Sequence, residues 1–504
     1  MKVFSLVSVL SLAVFTGAAQ TNTNAGATRA MSLADCIAEA MQHNLDLQIQ
    51  RYNPQISLYN LNANYGGYDP TFNFSGTHSY SESGGTFQNG QVITGSAYNE
   101  DSFSSSFNGT LPGWGTMYNL GGNVSSTKGD KSGITNSFPF QSSSGQVGAL
   151  TLTQPLLKNF WIDQTRLNVR VAKNRLQYSE QGVRQQIITS VTAVENAYYE
   201  LIFAQENVKV QQEALELAQT QLDQDRQRVQ IKVLAERGGT IEQDEAQVAT
   251  SKANLIAAEN TLSIDENALK NLLTDNYPQW HDIMIQPTAT LAATLQLFDL
   301  QDSWNKGMTE RPDLLQARLN VAEQGIQLKF SYNQLYPSLD LVGSYGYNGS
   351  GGNFGDTFNQ FNQANQPFWS YGAQLSMPLS NVGARNTYKA GKVTLKQLLL
   401  QLKQLEQNVM VDIDNAVKQA QSDYESVQAT QQASIYAQTA LDAEQAKYAV
   451  GKSTTFTVLQ LQNNLTAARS QEIRAQANYN QALANLAAQE GSTLERNGIK
   501  IELK

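Results

Sequence analysis

One cysteine, three histidines and eleven prolines in 504 residues already exclude several kinds of protein. A lone Cys36 cannot close an intramolecular disulfide, and after Ala34 and Asp35 it stands too far along the chain to be a lipoprotein acylation site. It reads as a small buried residue. His43, His78 and His281 are scattered without ligand spacing, which argues against a metal centre. Clustered basic residues are also missing: 35 Lys and Arg against 44 Asp and Glu leave a net charge of -9. Nucleic acid is therefore not an expected partner, because phosphate binding needs Lys and Arg gathered on one face. No GxSxG, phosphate loop or dinucleotide fingerprint occurs in the ordered regions. Carboxylates such as Glu213 and Glu216 read as solvated helix faces. No enzyme and no cofactor is expected.

Long apolar runs are nearly absent as well. The one exception is Val3 to Phe15 in MKVFSLVSVLSLAVFTGAAQ, preceded by Lys2 and followed by Ala18 and Ala19. This is the pattern of a secretory signal peptide over residues 1–19, cleaved near Ala19. Its apolar core falls short of the ~20 residues that span a bilayer. Any membrane passage by the rest of the chain must be made by strands.

What is present is a duplication. At an offset of 267, Leu33 to Phe87 aligns without a gap with Leu300 to Phe354. Identical pairs include Leu33/Leu300, Asp46/Asp313, Arg51/Arg318, Tyr65/Tyr332, Pro70/Pro337, Gly76/Gly343 and Tyr80/Tyr347. The expected organisation is a first repeat over 20–295, a second over 296–490 and a tail over 491–504. Each repeat has a helical stretch, strands, and two long helical stretches joined by a glycine-bearing turn.

The long helices are defined by missing breakers. Val183 to Arg237 is 55 residues without Gly or Pro, then come Gly238 and Gly239, and Thr240 to Tyr277 adds 38. The second repeat has 59 from Lys392 to Val450, then Gly451, then 39 from Lys452 to Glu490. The glycines place hairpin tips near 237–245 and 450–460. Ile413, Val417, Ala420, Tyr424 and Val427 alternate steps of four and three, the heptad spacing of a coiled coil. In the first repeat, the seam from Val194 through Tyr198 and Leu201 carries Gln205, Gln212 and Gln219, and a second apolar line of Val210, Ala214 and Leu217 runs beside it. Two seams fit helices standing side by side around a cylinder; a solid bundle with a glutamine layer fits the pattern equally well.

The strand segments alternate. Leu339, Leu341, Tyr345 and Tyr347 share one face, as do Trp369, Tyr371 and Leu375, and the first repeat has Phe72, Phe74 and Tyr80. Such alternation suits a membrane strand of ~9–11 residues, and also any half-buried sheet. Two strands per repeat, four per chain, cannot close a barrel that needs ~8. A membrane reading requires several copies to share one barrel. An insertion over 81–146 holds two more strand-like runs, Ser102 to Leu111 and Trp114 to Thr127. They read as a hairpin extending beyond the membrane, although their Gly, Ser and Asn content also suits a mobile loop.

The stretch from Tyr448 through Gly451, Val458, Leu459, Leu465 and Ala468 to Tyr479 resembles the TolC family of outer-membrane efflux and secretion channels. The junctions TQPLL at Thr153, SMPLS at Ser376 and LYPSLDLVGSY at Leu335 carry the same resemblance, which covers nearly all of the mature chain. It implies a mainly α fold with β: duplicated α-helical hairpins forming an α-barrel tunnel, plus four membrane strands per chain. Three chains would close a 12-stranded β-barrel in the outer membrane of a Gram-negative-type cell, with 12 helices crossing the periplasm. The implied function is passive exit of small molecules or proteins, in a tripartite efflux or type I secretion system. The implied partners are a periplasmic adaptor, an inner-membrane transporter and outer-membrane lipid. The resemblance also makes the tips a periplasmic aperture. Family acidic positions fall on Thr457 and Gln460, which are neutral here, while an offset of 215 between the repeats brings Glu242 and Glu245 opposite them. Six carboxylates from three chains would favour cations; a merely solvated turn is the alternative. An adhesive trimeric coiled-coil surface protein is the second function class, and a periplasmic adaptor the third.

Overall fold

The computed structural model describes residues 28–134, 136–230 and 240–499. The signal peptide expected over 1–19, the turn glycines Gly238 and Gly239, and the end of the 491–504 tail lie outside the described residues.

In chain order, β1 (Thr28–Met31) leads into α1 (Leu33–His43) and α2 (Leu45–Tyr65). Next come β2 (Thr71–Ser83), β3 (Thr86–Gln88), β4 (Gln91–Ile93), β5 (Ser96–Thr110), β6 (Met117–Lys131) and β7 (Phe138–Pro155). The long helices α3 (Gln164–Gln230) and α4 (Thr240–Leu273) follow, then α5 (Tyr277–Trp280) and β8 (Met284–Pro287). The second half contains α6 (Leu300–Glu310), α7 (Pro312–Asn333), β9 (Ser338–Gly351), α8 (Phe354–Gln363), β10 (Pro367–Ser376), α9 (Val382–Ala449), α10 (Thr455–Glu490) and α11 (Thr493–Arg496). At ~1.5 Å per residue, α3 and α9 are each about 100 Å long.

The chain divides into two compact units, each drawing on both halves of the sequence. One holds Ala193–Thr294 and Asp423–Gln481 with the N-terminal stretch ending at Leu45. There Leu441, Tyr448, Val458 and Leu465 form a buried cluster. The buried Tyr198 hydroxyl donates to the Met31 carbonyl at 3.1 Å, tying α3 to the short parallel ribbon of β1 and β8. Val194, Tyr198 and Leu201 are buried, whereas Gln212 and Gln219 are exposed, so these glutamines form no buried layer within the chain.

The other unit holds Asp46–Thr192, Leu295–Ser422 and the segment from Ala482 onward. Its helical core is Leu314, Val409, Ile413, Val417 and Leu486. It also holds the sheet, which corrects the strand count. The sheet has six strands in the order β10, β9, β7, β6, β5, β2, all neighbours antiparallel. The two runs in the 81–146 insertion are β5 and β6. They do not project beyond the other strands but lie between β2 and β7, paired along their length. Each chain therefore supplies six strands to this sheet, not four. The physical reason is backbone hydrogen bonding: β2 and β7 do not pair with each other, and the inserted hairpin supplies the partner that each needs.

Register makes the sheet two-faced. Phe72, Phe107, Leu120, Leu150, Tyr345 and Trp369 are successive register partners across all six strands, and every one is exposed. The adjacent row, on the opposite face, is Thr71, Asn108, Asn119, Thr151, Ser344 and Ser370. Further along the apolar face α8 packs against the sheet, with the Phe354 and Phe103 rings 5.9 Å apart.

Candidate functional site

The sequence points to the hairpin tips, and the structure describes the second one fully. Gly451 has φ +77°, a left-handed conformation that costs glycine little. Its N–H bonds to the Tyr448 carbonyl at 3.0 Å, and the Lys452 N–H to the Lys447 carbonyl at 2.9 Å. This pair of bonds is the Schellman ending of α9. Three residues later the Thr454 hydroxyl accepts from the Thr457 N–H at 3.4 Å, capping the start of α10. The run KSTT thus ends one helix and starts the next.

Beneath that turn lies a buried polar cluster. Asp225, near the end of α3, is fully buried. It accepts from the Tyr448 hydroxyl at 2.6 Å, from Thr455 Oγ1 at 3.0 Å and from Gln221 Nε2 at 3.0 Å. The Arg228 guanidinium stands 4.5 Å over the Tyr448 ring and 3.7 Å from Asp225. Burial, and then the bond to Asp225, pushes the Tyr448 phenol up. Asp244, in the first turns of α4, is fully buried too, and neither of its oxygens receives a hydrogen bond from a described donor. Burial first, and then the neighbouring Asp225 charge and a hydrogen bond with Asp225, push its carboxyl up to about 7. A proton on one Asp244 oxygen lets it donate to Asp225 and removes the repulsion between two buried like charges. The cluster links α3, α4, the end of α9 and the start of α10.

The four aperture candidates lie around this cluster. Glu242 and Glu245 are exposed on α4; Gln460 is exposed and Thr457 half-buried on α10. Gln247 and Asn463 exchange two hydrogen bonds, 2.7 and 3.1 Å, which sets α4 beside α10. The structure also gives Glu245 a partner: Arg226 Nη2 is 2.7 Å from its carboxylate, so its charge is locally offset. Asp225 and Asp244 were not singled out in the sequence. Their signal is the second apolar line of α3, which continues from Leu217 to Gln221 and Asp225 in steps of four and so carries a carboxylate into a packed seam.

The strand residues Phe72, Phe74, Tyr80, Leu341, Tyr345, Trp369, Tyr371 and Leu375 are exposed, and Leu339 and Tyr347 are half-buried. Tyr345 pairs with Trp369, Leu339 with Leu375, and Tyr347 with Pro367. Among the described residues no group of three or more His, Cys, Asp or Glu is placed to hold a metal.

The described chain thus combines long helices whose ends meet at a buried polar cluster with a two-faced antiparallel sheet. The family model described as outer membrane efflux protein matches residues 118–274 and 306–492, and the chain belongs to that family. It is 26% identical over 297 residues to outer membrane protein TolC of Salmonella enteritidis, covering 58% of each chain. It is 24% identical over 361 residues to TolC of Vibrio cholerae, covering 69% of this chain and 78% of the relative. The match thus spans somewhat over half the length of the Salmonella protein. The fold is similar to the Campylobacter jejuni CmeC outer membrane channel, with TM-score 0.65 at 14% identity, covering 92% of this chain and 86% of that one. It is also similar to the outer membrane protein VceC of Vibrio cholerae, with TM-score 0.66 at 16% identity, covering 91% and 96%.

Proposed function

We propose that this protein is the outer-membrane exit duct of an efflux or type I secretion system. Three copies combine their sheets into one barrel in the outer membrane, and their long helices line a tunnel through the periplasm. The carrying observation, taken with family membership, is the exposed apolar row from Phe72 to Trp369 backed by the polar row from Thr71 to Ser370. In a spanning barrel the first faces lipid and the second faces water. The duct moves its cargo, small molecules or proteins, without a chemical step; a periplasmic adaptor and an inner-membrane transporter deliver it to the tips and supply the energy.

Planar-bilayer recording of the purified protein tests this. Discrete conductance steps in plain salt, with no energy source, are expected. A protein that fractionates with the outer membrane yet never produces such steps would not be a duct.

A further inference from the structure

The inserted strands β5 and β6 share the two-faced design of their neighbours. Phe107 and Leu120 continue the apolar row, and Asn108 and Asn119 continue the polar one. The turn joining them lies at the end of the sheet where β7 runs on toward α3. Gln154 Nε2 donates to the Trp114 carbonyl at 3.2 Å, and Arg166 Nη1 to the Gly113 carbonyl at 2.5 Å. At the other end, Ser83 pairs with Ser96 and Lys131 with Phe138. The hairpin therefore runs the full height of the sheet and back. Each of its strands has 15 residues, more than the ~9–11 that a tilted membrane strand needs.

The sheet has two open edges. Among the described residues β2 pairs only with β5, and β10 only with β9. Natural edges that must stay unpaired are usually blunted by Lys, by Pro or by bulges. β10 carries no charge and its one proline, Pro367, is its first residue, while β2 contains neither lysine nor proline and its one carboxylate, Glu82, stands at its far end. The apolar row begins on one edge at Phe72 and ends on the other at Trp369, so an edge left open would be open in lipid, where unpaired backbone groups are not tolerated. Six strands in strict alternation run β2 and β10 in opposite directions. Set beside β2 of another copy, β10 makes the same antiparallel pairing as every other neighbour, with the apolar face continuous.

We propose that all six strands of each copy enter one shared barrel, β10 of one copy pairing with β2 of the next. With three copies, the number taken from the function proposed above, six strands from each close an eighteen-stranded barrel. Barrel diameter grows roughly linearly with strand number, so this one is roughly 1.5 times as wide as the twelve-stranded barrel that four strands per copy would make. Its lumen falls in the class of the open, water-filled porins rather than that of small packed barrels.

Two measurements on the full chain test this. Native mass spectrometry counts copies, and cryo-electron microscopy of the same sample counts strands in cross-section. Six strands per copy supports the proposal. Four per copy, with residues 96–131 standing outside the barrel wall, overturns it. A copy number other than three would reject the trimer in the function proposed above, while the count per copy still decides the strand question. Single-cysteine labelling in outer-membrane vesicles gives a second readout with Asn119→Cys on the polar face and Leu120→Cys on the apolar face. Cys36 is fully buried and its thiol is pushed up to about 12, so it contributes little background. A small water-soluble maleimide should modify Asn119→Cys at least roughly tenfold faster than Leu120→Cys, because a thiolate forms poorly in hydrocarbon. Equal rates at the two positions would place the hairpin in water and overturn the proposal.

Discussion

Asp244 is the residue whose environment departs furthest from that of an ordinary carboxyl outside the strands. Its pKa lies near 7 in the folded chain against an ordinary 3.8, so between those values the folded chain holds a proton that the unfolded chain has lost. Stability falls as pH rises from about 4 to about 7 and levels off above, with a slope of up to ~1.4 kcal/mol per pH unit from this one group. No opposing cation intervenes on α10, where Thr455 to Asn463 carries no charged residue. On α3, Arg228 stands beside Asp225, and Arg226 is engaged with the exposed Glu245. On α9, Lys447 pairs with Glu444. Asp244→Asn retains the shape, cannot ionise and should flatten this slope, read as thermal unfolding of the purified protein at several pH values. Parallel slopes in the variant and the parent would mean that Asp244 is not the titrating group. Tyr448→Phe should act differently: it deprives Asp225 of its shortest hydrogen bond and leaves part of a buried charge unmet, which destabilises at every pH.

At the scale of elements, the turn after α9 owes its geometry to one backbone conformation. A Cβ added at Gly451 would meet nothing within 4 Å, so the cost of Gly451→Ala is conformational rather than steric crowding. It should be about 1 kcal/mol, with Thr454→Ala adding about as much through the lost cap. Hydrogen exchange confined to the last turn of α9 and the first of α10 would report both. Here the sequence was legible because glycine and the Ser/Thr run are local signals. Elsewhere glycine is a weaker boundary signal. Gly182 and Gly391 read as the limits of the long helices, yet α3 begins at Gln164 and α9 at Val382, running through both. Glycine inside a helix costs only ~1 kcal/mol relative to alanine, and contacts outweigh it. A Cβ at Gly182 would lie 2.9 Å from Gln50 Nε2 and 3.3 Å from Gln316 Nε2, so glycine lets those side chains approach α3. The strand count was illegible for a different reason. Each of β5 and β6 shows alternation by itself, but which strands they join is set by register with residues as far away as Thr71 is from Asn108 and Met117 from Thr153, and Ser- and Gly-rich stretches carry little of that information.

For the whole molecule, the proposed duct makes net charge at the tips the decisive quantity. Glu245 and Arg226 form a neutral pair, so cation preference depends on how that pair is unbalanced. Glu245→Gln removes a carboxylate and leaves the Arg226 charge uncompensated, while Arg226→Gln releases the Glu245 charge. If three copies bring their tips around one axis, each substitution is felt three times, and the two must act in opposite directions. Reversal potentials under a salt gradient should therefore move toward anion preference in Glu245→Gln and toward cation preference in Arg226→Gln. Glu242→Gln should move in the same direction as Glu245→Gln. Screening sets the conditions: the Debye length is about 10 Å at 0.1 M salt and about 30 Å at 0.01 M, so the shifts should grow as salt is lowered. Thr457 and Gln460 are neutral, and replacing them with alanine should leave selectivity unchanged, a control that separates charge from shape. Reversal potentials that stay fixed in both Glu245→Gln and Arg226→Gln at low salt would exclude the tips as the source of selectivity in the proposed duct.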